Sequence, residues 1–141
     1  MVKLKIDTSQ FKKGFSSAIK ELEDLALARL NAATMLLQAE AVKEAPSDTG
    51  NLRASIFSKT EKEKGKIIGR VGSIVEYAAY VHQGTGIHAA NGAGRKSPWK
   101  VVTLYKGKKV SFWTIGQKPN PFLTRARDKN IANIKRLLGV K

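Results

Sequence analysis

The stretch that decides the fold is Tyr77-Ala-Ala-Tyr-Val-His-Gln-Gly-Thr-Gly86, a short apolar and aromatic segment that ends at a threonine between two glycines. Its two tyrosines and Val81 stand at positions i, i+3 and i+4, so one helical turn places them on the same face. The two glycines can adopt the positive φ that ends such a turn and redirects the backbone. The segment contains no general base, nucleophile or metal cluster, so we interpret it as a structural motif.

Upstream of this motif, the sequence predicts a strand followed by one long helix. Val2-Lys-Leu-Lys-Ile6 alternates apolar and polar residues, and the following Asp7-Thr-Ser9 suits a helix N-cap. Apolar residues then repeat at three- and four-residue spacing up to Glu44, and Pro46 ends the helix. The apolar stripe consists of Phe15, Ile19, Leu22, Ala26, Leu30, Ala33, Leu37 and Ala41. Small residues are frequent in this helix, which suits close packing against another helix or a neighbouring subunit.

A turn cluster connects the helix to the first predicted strand. Pro46 fixes φ, Asp48 and Thr49 can hydrogen-bond to nearby backbone amides, and Gly50 supplies a conformation that β-carbons disfavour. Turns of this composition are ordinary, so we interpret the cluster as a well-made connection rather than a ligand site.

Two β-hairpins are predicted, one on each side of the central motif. Residues 53–60 and 66–73 are strands that flank the charged tip 61–65, and residues 99–105 and 108–115 flank Lys106-Gly107. Between the motif and the second hairpin, residues 87–98 are rich in glycine and lack periodicity, which predicts a flexible loop.

The glycine-rich loop invites comparison with a phosphate-binding loop, and the comparison fails. In Gly92-Ala-Gly-Arg-Lys-Ser97, Arg95 separates the lysine from the preceding glycine, and no strand leads into the segment. We therefore do not predict nucleotide binding.

The last part of the chain is predicted to be a proline turn at 116–121 and a helix at 122–138. The predicted buried side of this helix consists of Phe122, Ala126, Ile131, Ile134, Leu137 and Leu138. The sequence therefore predicts an α+β fold in one domain, residues 1–141. In this fold the long N-terminal helix and the C-terminal helix pack on an antiparallel sheet built from the two hairpins.

The positive charge is concentrated in the second part of the chain. Residues 1–50 hold seven Lys/Arg and seven Asp/Glu, whereas residues 51–141 hold nineteen and four, which accounts for the net charge of +15. A basic face suits an anionic partner such as nucleic acid or an acidic protein surface, although the lysines could also serve solubility alone. The candidate contact residues are Lys62, Lys64, Arg95, Lys96, Lys106, Lys108 and Lys109.

Aromatic residues lie between the lysines of the second hairpin, and this pattern keeps a nucleic-acid-binding module open as an alternative. Trp99, Tyr105, Phe112 and Trp113 could stack on bases as in single-strand binders. Such aromatic residues are more often part of a core or an interface, and the sequence contains none of the recognisable nucleic-acid-binding modules.

The titratable residues argue against an enzyme, a metal site or a cofactor. The chain has two histidines and no cysteine, so thiolate zinc sites and disulfides are excluded. Neither His82 nor His88 has a serine in a nucleophile-elbow context, and with Glu76 they lack a recognised metal-ligand spacing. A signal peptide and an apolar span of about 18 residues are also lacking, so we predict neither export nor membrane insertion.

Three segments in order resemble the tail-completion, or tail-component, family of long-tailed bacteriophages and prophages. They are Ala45-Pro-x-Asp-Thr-Gly-x-Leu-x-x-Ser-Ile56, Tyr77-Ala-x-Tyr-Val-x-x-Gly-Thr85 and Pro121-Phe-Leu-x-x-Ala126. The resemblance extends from about Ser9 to Leu138. His82 departs from the pattern, because such proteins commonly carry glutamate there. The residues that carry the motif are Pro46, Asp48, Thr49, Gly50, Leu52, Tyr77, Tyr80, Gly84, Thr85, Pro121 and Phe122.

The resemblance implies a structural protein of the phage neck. Such a subunit forms a homo-oligomeric ring between the head-side connector or stopper and the tail terminator or tail tube. It is assembled in the host cytoplasm, ends at the head-tail junction of the virion and lies near DNA in transit. The resemblance implies no catalytic residue, cofactor or membrane partner.

Overall fold

A helix of 36 residues is the longest element of the described structure. The computed structural model describes residues 9–48 and 50–140, with side chains from residue 12 onward. The predicted strand Val2–Ile6 and residue Thr49 lie outside this part of the chain. The helices are α1 (Ser9–Glu44), α2 (Asn51–Ala54), α3 (Tyr77–Gln83), α4 (Phe122–Lys129) and α5 (Ile131–Leu138), with a 3-10 turn at Gly86–His88. The strands are β1 (Ile56–Glu63), β2 (Lys66–Ser73), β3 (Trp99–Tyr105) and β4 (Lys108–Thr114).

The predicted α+β class, with a long N-terminal helix and two antiparallel hairpins, is confirmed. The hairpins form two separate two-stranded sheets rather than one continuous sheet. The β1–β2 hairpin packs along α1, whereas β3–β4 extends from the body as an arm. We use "the arm" below for residues 99–114.

Both hairpins have the same two-residue turn. Glu63 pairs with Lys66 across the first turn, and Tyr105 pairs with Lys108 across the second. The turn residues have positive φ, as two-residue turns between twisted strands require: Lys64, Gly65, Lys106 and Gly107. The charged segment 61–65 that was predicted as a tip is therefore mostly strand, and only its last two residues turn.

The predicted strand start at Arg53 was wrong, because a short helix occupies Asn51–Ala54. Gly50 has φ of 83°, and its carbonyl accepts a hydrogen bond from the Ala54 amide at 3.0 Å. Arg53 Nε donates to the Ala45 carbonyl at 2.9 Å and closes the turn back onto the end of α1. The chain therefore completes one helical turn before it enters β1.

The predicted C-terminal helix 122–138 is two helices interrupted at Asn130. This residue is buried, and its φ and ψ of −115° and 10° are not helical. Its Nδ2 donates to the Ala126 carbonyl at 2.9 Å, so the side chain takes the place of a helix backbone donor. Both α4 and α5 pack on α1, and of the predicted buried side only Phe122 and Ala126 are buried.

The core lies at the C-terminal end of α1 and surrounds one ring. Phe122 is fully buried. Small and aliphatic side chains pack around it: Ala41, Ala45, Leu52, Ile56, Ala78 and Ala126. The apolar stripe of α1 is consequently buried at Ala33 and Ala41 but exposed at Ile19 and Leu22. No helix of the described residues is both long enough and apolar enough to cross a membrane.

Candidate assembly surfaces

The three sequence motifs meet in the core. Leu52 from the first, Ala78 from the second and Phe122 from the third belong to one cluster of buried side chains. Leu52 follows the turn at Gly50, Ala78 lies on the inner side of α3, and Phe122 begins α4 directly after Pro121. The spacing within each motif thus brings one apolar side chain to a common point.

The Gly-Thr-Gly segment holds the base of the arm. The Thr85 amide donates to the Gln117 carbonyl at 2.9 Å, and the Thr85 hydroxyl oxygen accepts from the Gln117 amide at 2.9 Å. The Ile87 amide donates to the Ile115 carbonyl at 3.0 Å. At Gly86, where φ is 62°, a Cβ atom would overlap the Ile115 carbonyl. The segment needs glycine because the backbone that leaves β4 passes directly against it.

Several of the predicted motif residues line a shallow cleft beside α3, with a volume of about 390 Å³. Its walls are Pro46, Asp48, Gly50, Asn51, Leu52, Tyr77, Val81 and Gln117. Tyr80 lies elsewhere, in a second depression with Gly84 and Thr85. Both tyrosine rings are largely exposed, so the inner side of α3 is formed by Ala78 with Val81 packed beside it.

A polar clamp that the sequence did not reveal joins the end of α1 to α4. Glu44 Oε2 accepts a hydrogen bond from Arg125 Nε at 2.9 Å, and Lys129 also donates to this carboxylate. Arg125 further donates to Asn120 Oδ1 at 2.5 Å. The Lys129 and Arg125 hydrogen bonds lower the pKa of Glu44, against a smaller opposing effect of burial. More than 80 residues separate the clamp partners, so no local spacing could have indicated the contact.

His82 serves as a packing residue beside the core. Its ring meets Phe122 edge to face with centroids 5.6 Å apart, and its Nε2 lies 3.4 Å from Thr124 Oγ1. Burial lowers the pKa of His82, and the nearby Arg125 charge lowers it further. Across residues 9–48 and 50–140, no three His, Asp or Glu side chains are grouped to hold a metal ion.

The seven basic candidates do not form one patch of equivalent residues. Lys62 pairs with Glu23 of α1 at 2.6 Å, so it is engaged within the chain. Arg95 stacks over Trp99 at 5.6 Å, and Lys96 donates to the Gly92 carbonyl at 3.0 Å. The remaining four are exposed and lie on hairpins: Lys64, Lys106, Lys108 and Lys109.

The predicted flexible loop 87–98 has local hydrogen bonds in the structure. It begins with the 3-10 turn, and the Ala90 amide donates to the Gln83 carbonyl at 2.8 Å. Asn91 Oδ1 accepts from the Ala93 amide at 3.0 Å. The flexibility of the loop stays a prediction.

The arm exposes apolar side chains on both of its faces. By the strand register, one face carries Val101, Val110 and Phe112, and the other carries Val102, Leu104 and Trp113. Leu104 is 74% exposed and Trp113 is 70% exposed. Apolar side chains thus remain in water on a sheet of only two strands.

These features define a subunit with a small core at one end of a long helix and a protruding apolar arm. The chain belongs to the family described as bacteriophage HK97-gp10, putative tail-component, whose model matches residues 9–84, more than half of the sequence. It is therefore a tail component of a phage virion, in agreement with the resemblance of its motifs. A search of the curated proteins and a search of the solved structures each found no match.

Proposed function

We propose that this tail component is a tail-completion subunit that forms a ring at the phage neck and joins the head connector to the tail. The supporting observation is the arm, which leaves Leu104 and Trp113 largely exposed to water. Contiguous exposed apolar surface of this kind marks an interaction site. The proposal therefore gives the whole chain a structural role.

The arm cannot derive much stability from its own two strands. An isolated two-stranded hairpin is at best marginally stable in water, and it gains stability when a third strand, a helix or a partner covers it. Each Å² of apolar surface that a partner covers contributes roughly 25 cal/mol. Assembly into a virion supplies such a partner, and the folded body holds the arm in place before assembly through Thr85 and Gln117.

The partners follow from this position in the particle. Copies of the chain would form the ring, the head-side connector or stopper would lie on one side, and the tail terminator or tail tube on the other. The chain would assemble in the host cytoplasm and remain at the head-tail junction. The exposed lysines would then face either DNA in transit or acidic surfaces of the adjoining rings.

Complementation of a phage that lacks this gene tests the proposal. Deletion of Lys106–Lys109 removes the end of the arm, and we expect free heads and free tails to accumulate while the purified variant keeps its circular dichroism spectrum. Val140→Ser is the matched control, since it removes an exposed apolar side chain outside the arm and should support normal joining. Normal infectivity of the arm deletion would contradict the proposed role.

A nucleic-acid-binding module is the second candidate, and the unpaired charges of the arm favour it. Lys100, Lys108 and Lys109 have no acidic partner within the described chain, and residues 77–127 contain no Asp or Glu. A gel shift at several salt concentrations separates the candidates, because binding through phosphates weakens steeply with salt. Tight duplex binding at physiological salt supports the module, whereas weak binding seen only at low salt supports the neck subunit.

A further inference from the structure

A second exposed apolar surface lies on the N-terminal half of α1. Ile19, Leu22 and Leu25 are exposed, and Leu22 is exposed by 66%. They lie N-terminal to Arg29, which is the point on α1 that the C-terminal end of α5 approaches at Gly139. The apolar repeat of α1 therefore continues beyond the helices that cover it. We call Ile19, Leu22 and Leu25 the α1 stripe, as distinct from the longer apolar stripe that was predicted from the sequence.

The α1 stripe lies beside the densest group of acidic residues in the chain. Three of the eleven Asp and Glu residues fall within four positions, at Glu21, Glu23 and Asp24. Glu23 is paired with Lys62 of β1, whereas Glu21 and Asp24 have no ion pair with any residue that the structure describes. Glu21 lies one helical turn before Leu25 and therefore flanks the stripe, whereas Asp24 lies two residues after Leu22, on the side of α1 that faces Thr60 of β1.

The face of the arm that carries Val102, Leu104 and Trp113 has the complementary composition. Trp113 pairs with Lys100 across the two strands, and Leu104 pairs with Lys109, with Val102 between them. Apolar side chains and lysines therefore share one face, and residues 99–114 contain no acid. Cationic and acidic surfaces that face each other give an interface its register and suppress wrong pairings.

The arm is shorter than the part of α1 that lies N-terminal to Arg29. A strand of seven residues, as in β3, spans about 23 Å at 3.3 Å per residue. The part of α1 from Ser9 to Arg29 is about 30 Å long at 1.5 Å per residue. The arm can therefore lie along this part of the helix without passing its end.

We propose that the arm of one copy packs on the α1 stripe of the next copy. Val102, Leu104 and Trp113 would cover Ile19, Leu22 and Leu25, and the lysines of the same face, Lys100 and Lys109, would lie on the side of Glu21. The contact joins two different patches, so it is heterologous and repeats from copy to copy until the ring closes. This inference rests on the proposed ring and assigns the surfaces that build it. Pairing of arm with arm is disfavoured because it would bring lysines together.

Two single-surface variants of the full chain test the contact. Leu104→Ser with Trp113→Ser disables the arm and leaves the stripe, whereas Leu22→Ser with Leu25→Ser disables the stripe and leaves the arm. We expect the wild-type chain to form larger assemblies, each variant alone to be monomeric, and an equimolar mixture to form a one-to-one heterodimer by analytical ultracentrifugation. Val140→Ser should assemble as wild type, and circular dichroism with thermal melting checks that every variant is folded.

The same measurement has outcomes that overturn the inference. Self-association of the arm variant alone would indicate contact between stripes, and self-association of the stripe variant alone would indicate contact between arms. A wild-type chain that remains monomeric at its highest soluble concentration also contradicts the contact. So does a monomeric wild-type chain that binds duplex DNA through the arm, because DNA would then be its partner.

Charge reversal tests the electrostatic part of the contact. Glu21→Lys, or Lys100→Glu with Lys109→Glu, should each weaken assembly by about tenfold or more, because like charges then oppose each other. Combining all three substitutions in one chain restores opposite charges, so assembly should recover toward the wild-type level. Failure of the combined variant to recover, when each of the two partial variants is folded and impaired, would overturn the assigned pairing of surfaces.

Complementation distinguishes this inference from the proposed function. If the single-surface variants assemble as wild type but fail to join heads to tails, the neck role stands and the arm-to-stripe contact is wrong. If the variants are monomeric yet support normal joining, the contact between copies stands and the ring-dependent neck role is wrong.

Discussion

At the level of single residues, Phe122 is the central side chain of the core. Its ring is fully buried among alanines, Leu52 and Ile56, and the only aromatic group in contact with it in the described chain is His82. A small core of this kind has few other large side chains to compensate for the loss of one. Phe122 follows Pro121 directly at the start of α4, and Ala126 of the same motif is buried in the same cluster.

Replacing Phe122 by alanine should therefore lower the free energy of unfolding by about 3–5 kcal/mol, because it leaves a cavity lined by side chains that cannot collapse to fill it. Urea unfolding followed by circular dichroism measures the change. Phe112→Ala is the matched control: this ring is half exposed on the arm, and its loss should cost the monomer far less. Equal losses for the two variants would contradict the position of the core.

Gly86→Ala should destabilise the chain by more than about 1 kcal/mol, because the new Cβ combines a positive φ with overlap of the Ile115 carbonyl. Gly92→Ala is the matched control, since its φ of 70° is similar but no atom lies within 4 Å of the added Cβ. The difference between their unfolding free energies isolates the close approach of the two backbone segments. Equal values would show that only the backbone dihedral matters.

The clamp at Glu44 should make stability depend on pH in the acid range. Its folded-state pKa is lowered, so the carboxylate stabilises the folded chain above the unfolded pKa of about 4.3, and this contribution disappears as pH falls through the folded pKa. Glu44→Gln should therefore lower the melting temperature at pH 7 and have little effect below the folded pKa. Glu76→Gln, at an exposed carboxylate without an ion pair within the described chain, should melt as wild type. A pH-independent effect of Glu44→Gln would exclude the ionic origin.

At the level of elements, the two hairpins have the same turn and different surroundings. Strands β1 and β2 pack on α1, and Gln38 Nε2 donates to the Ile56 carbonyl at 2.9 Å. Strands β3 and β4 pair with each other, and only the base of the arm is held, through Thr85 and Ile87. The turn at Lys106-Gly107 was predicted from the sequence, whereas the first turn was predicted as the longer tip 61–65. Which hairpin is covered depends on side chains far away in the sequence.

Hydrogen exchange should distinguish the hairpins. In the monomer, the amides of β3 and β4 should exchange faster than those of β1 and β2, because local opening of the arm exposes little additional apolar surface. In assembled particles the arm should become protected, whereas β1 and β2 should change little. Mass spectrometry of the free and assembled chain measures both. An arm that is as protected in the monomer as β1–β2 would contradict its lack of a partner.

For the molecule as a whole, the net charge of +15 coexists with an acidic group on one helix. The cations lie mainly in the second part of the chain, and the acids Glu21, Glu23 and Asp24 lie in the first. Such separation suits neighbours that meet through different surfaces of the same chain. It also suits attraction to DNA, so the total charge alone does not choose between the two partners.

Salt dependence of assembly should separate these contributions. Screening has a range of about 8–10 Å at physiological ionic strength, so higher salt should weaken the contact between copies without abolishing it, because its centre is apolar. The chain carrying Glu21→Lys, Lys100→Glu and Lys109→Glu should respond to salt as wild type does. Sedimentation at several salt concentrations measures the effect. Complete loss of assembly in moderate salt would contradict an apolar centre.

Elements with strong local signals could be predicted from the sequence alone. The 3.6-residue repeat up to Glu44 predicted α1, Lys106-Gly107 predicted the second hairpin, and the motif spacing indicated the phage tail-component family. These features depend on residues that are close together along the chain, where dihedral preferences and periodicity act directly. The family assignment required no knowledge of the contacts.

Which of the predicted apolar surfaces are buried became known from the packing of distant segments. The same α1 repeat is buried at Ala41 and exposed at Leu22, and the break at Asn130 and the clamp at Glu44 each depend on how α4 and α5 meet α1. Burial depends on where distant segments end, and α4 packs on the part of α1 that carries the buried cluster. For that reason the sequence showed the apolar stripe, and the structure showed which part of it remains for a neighbour.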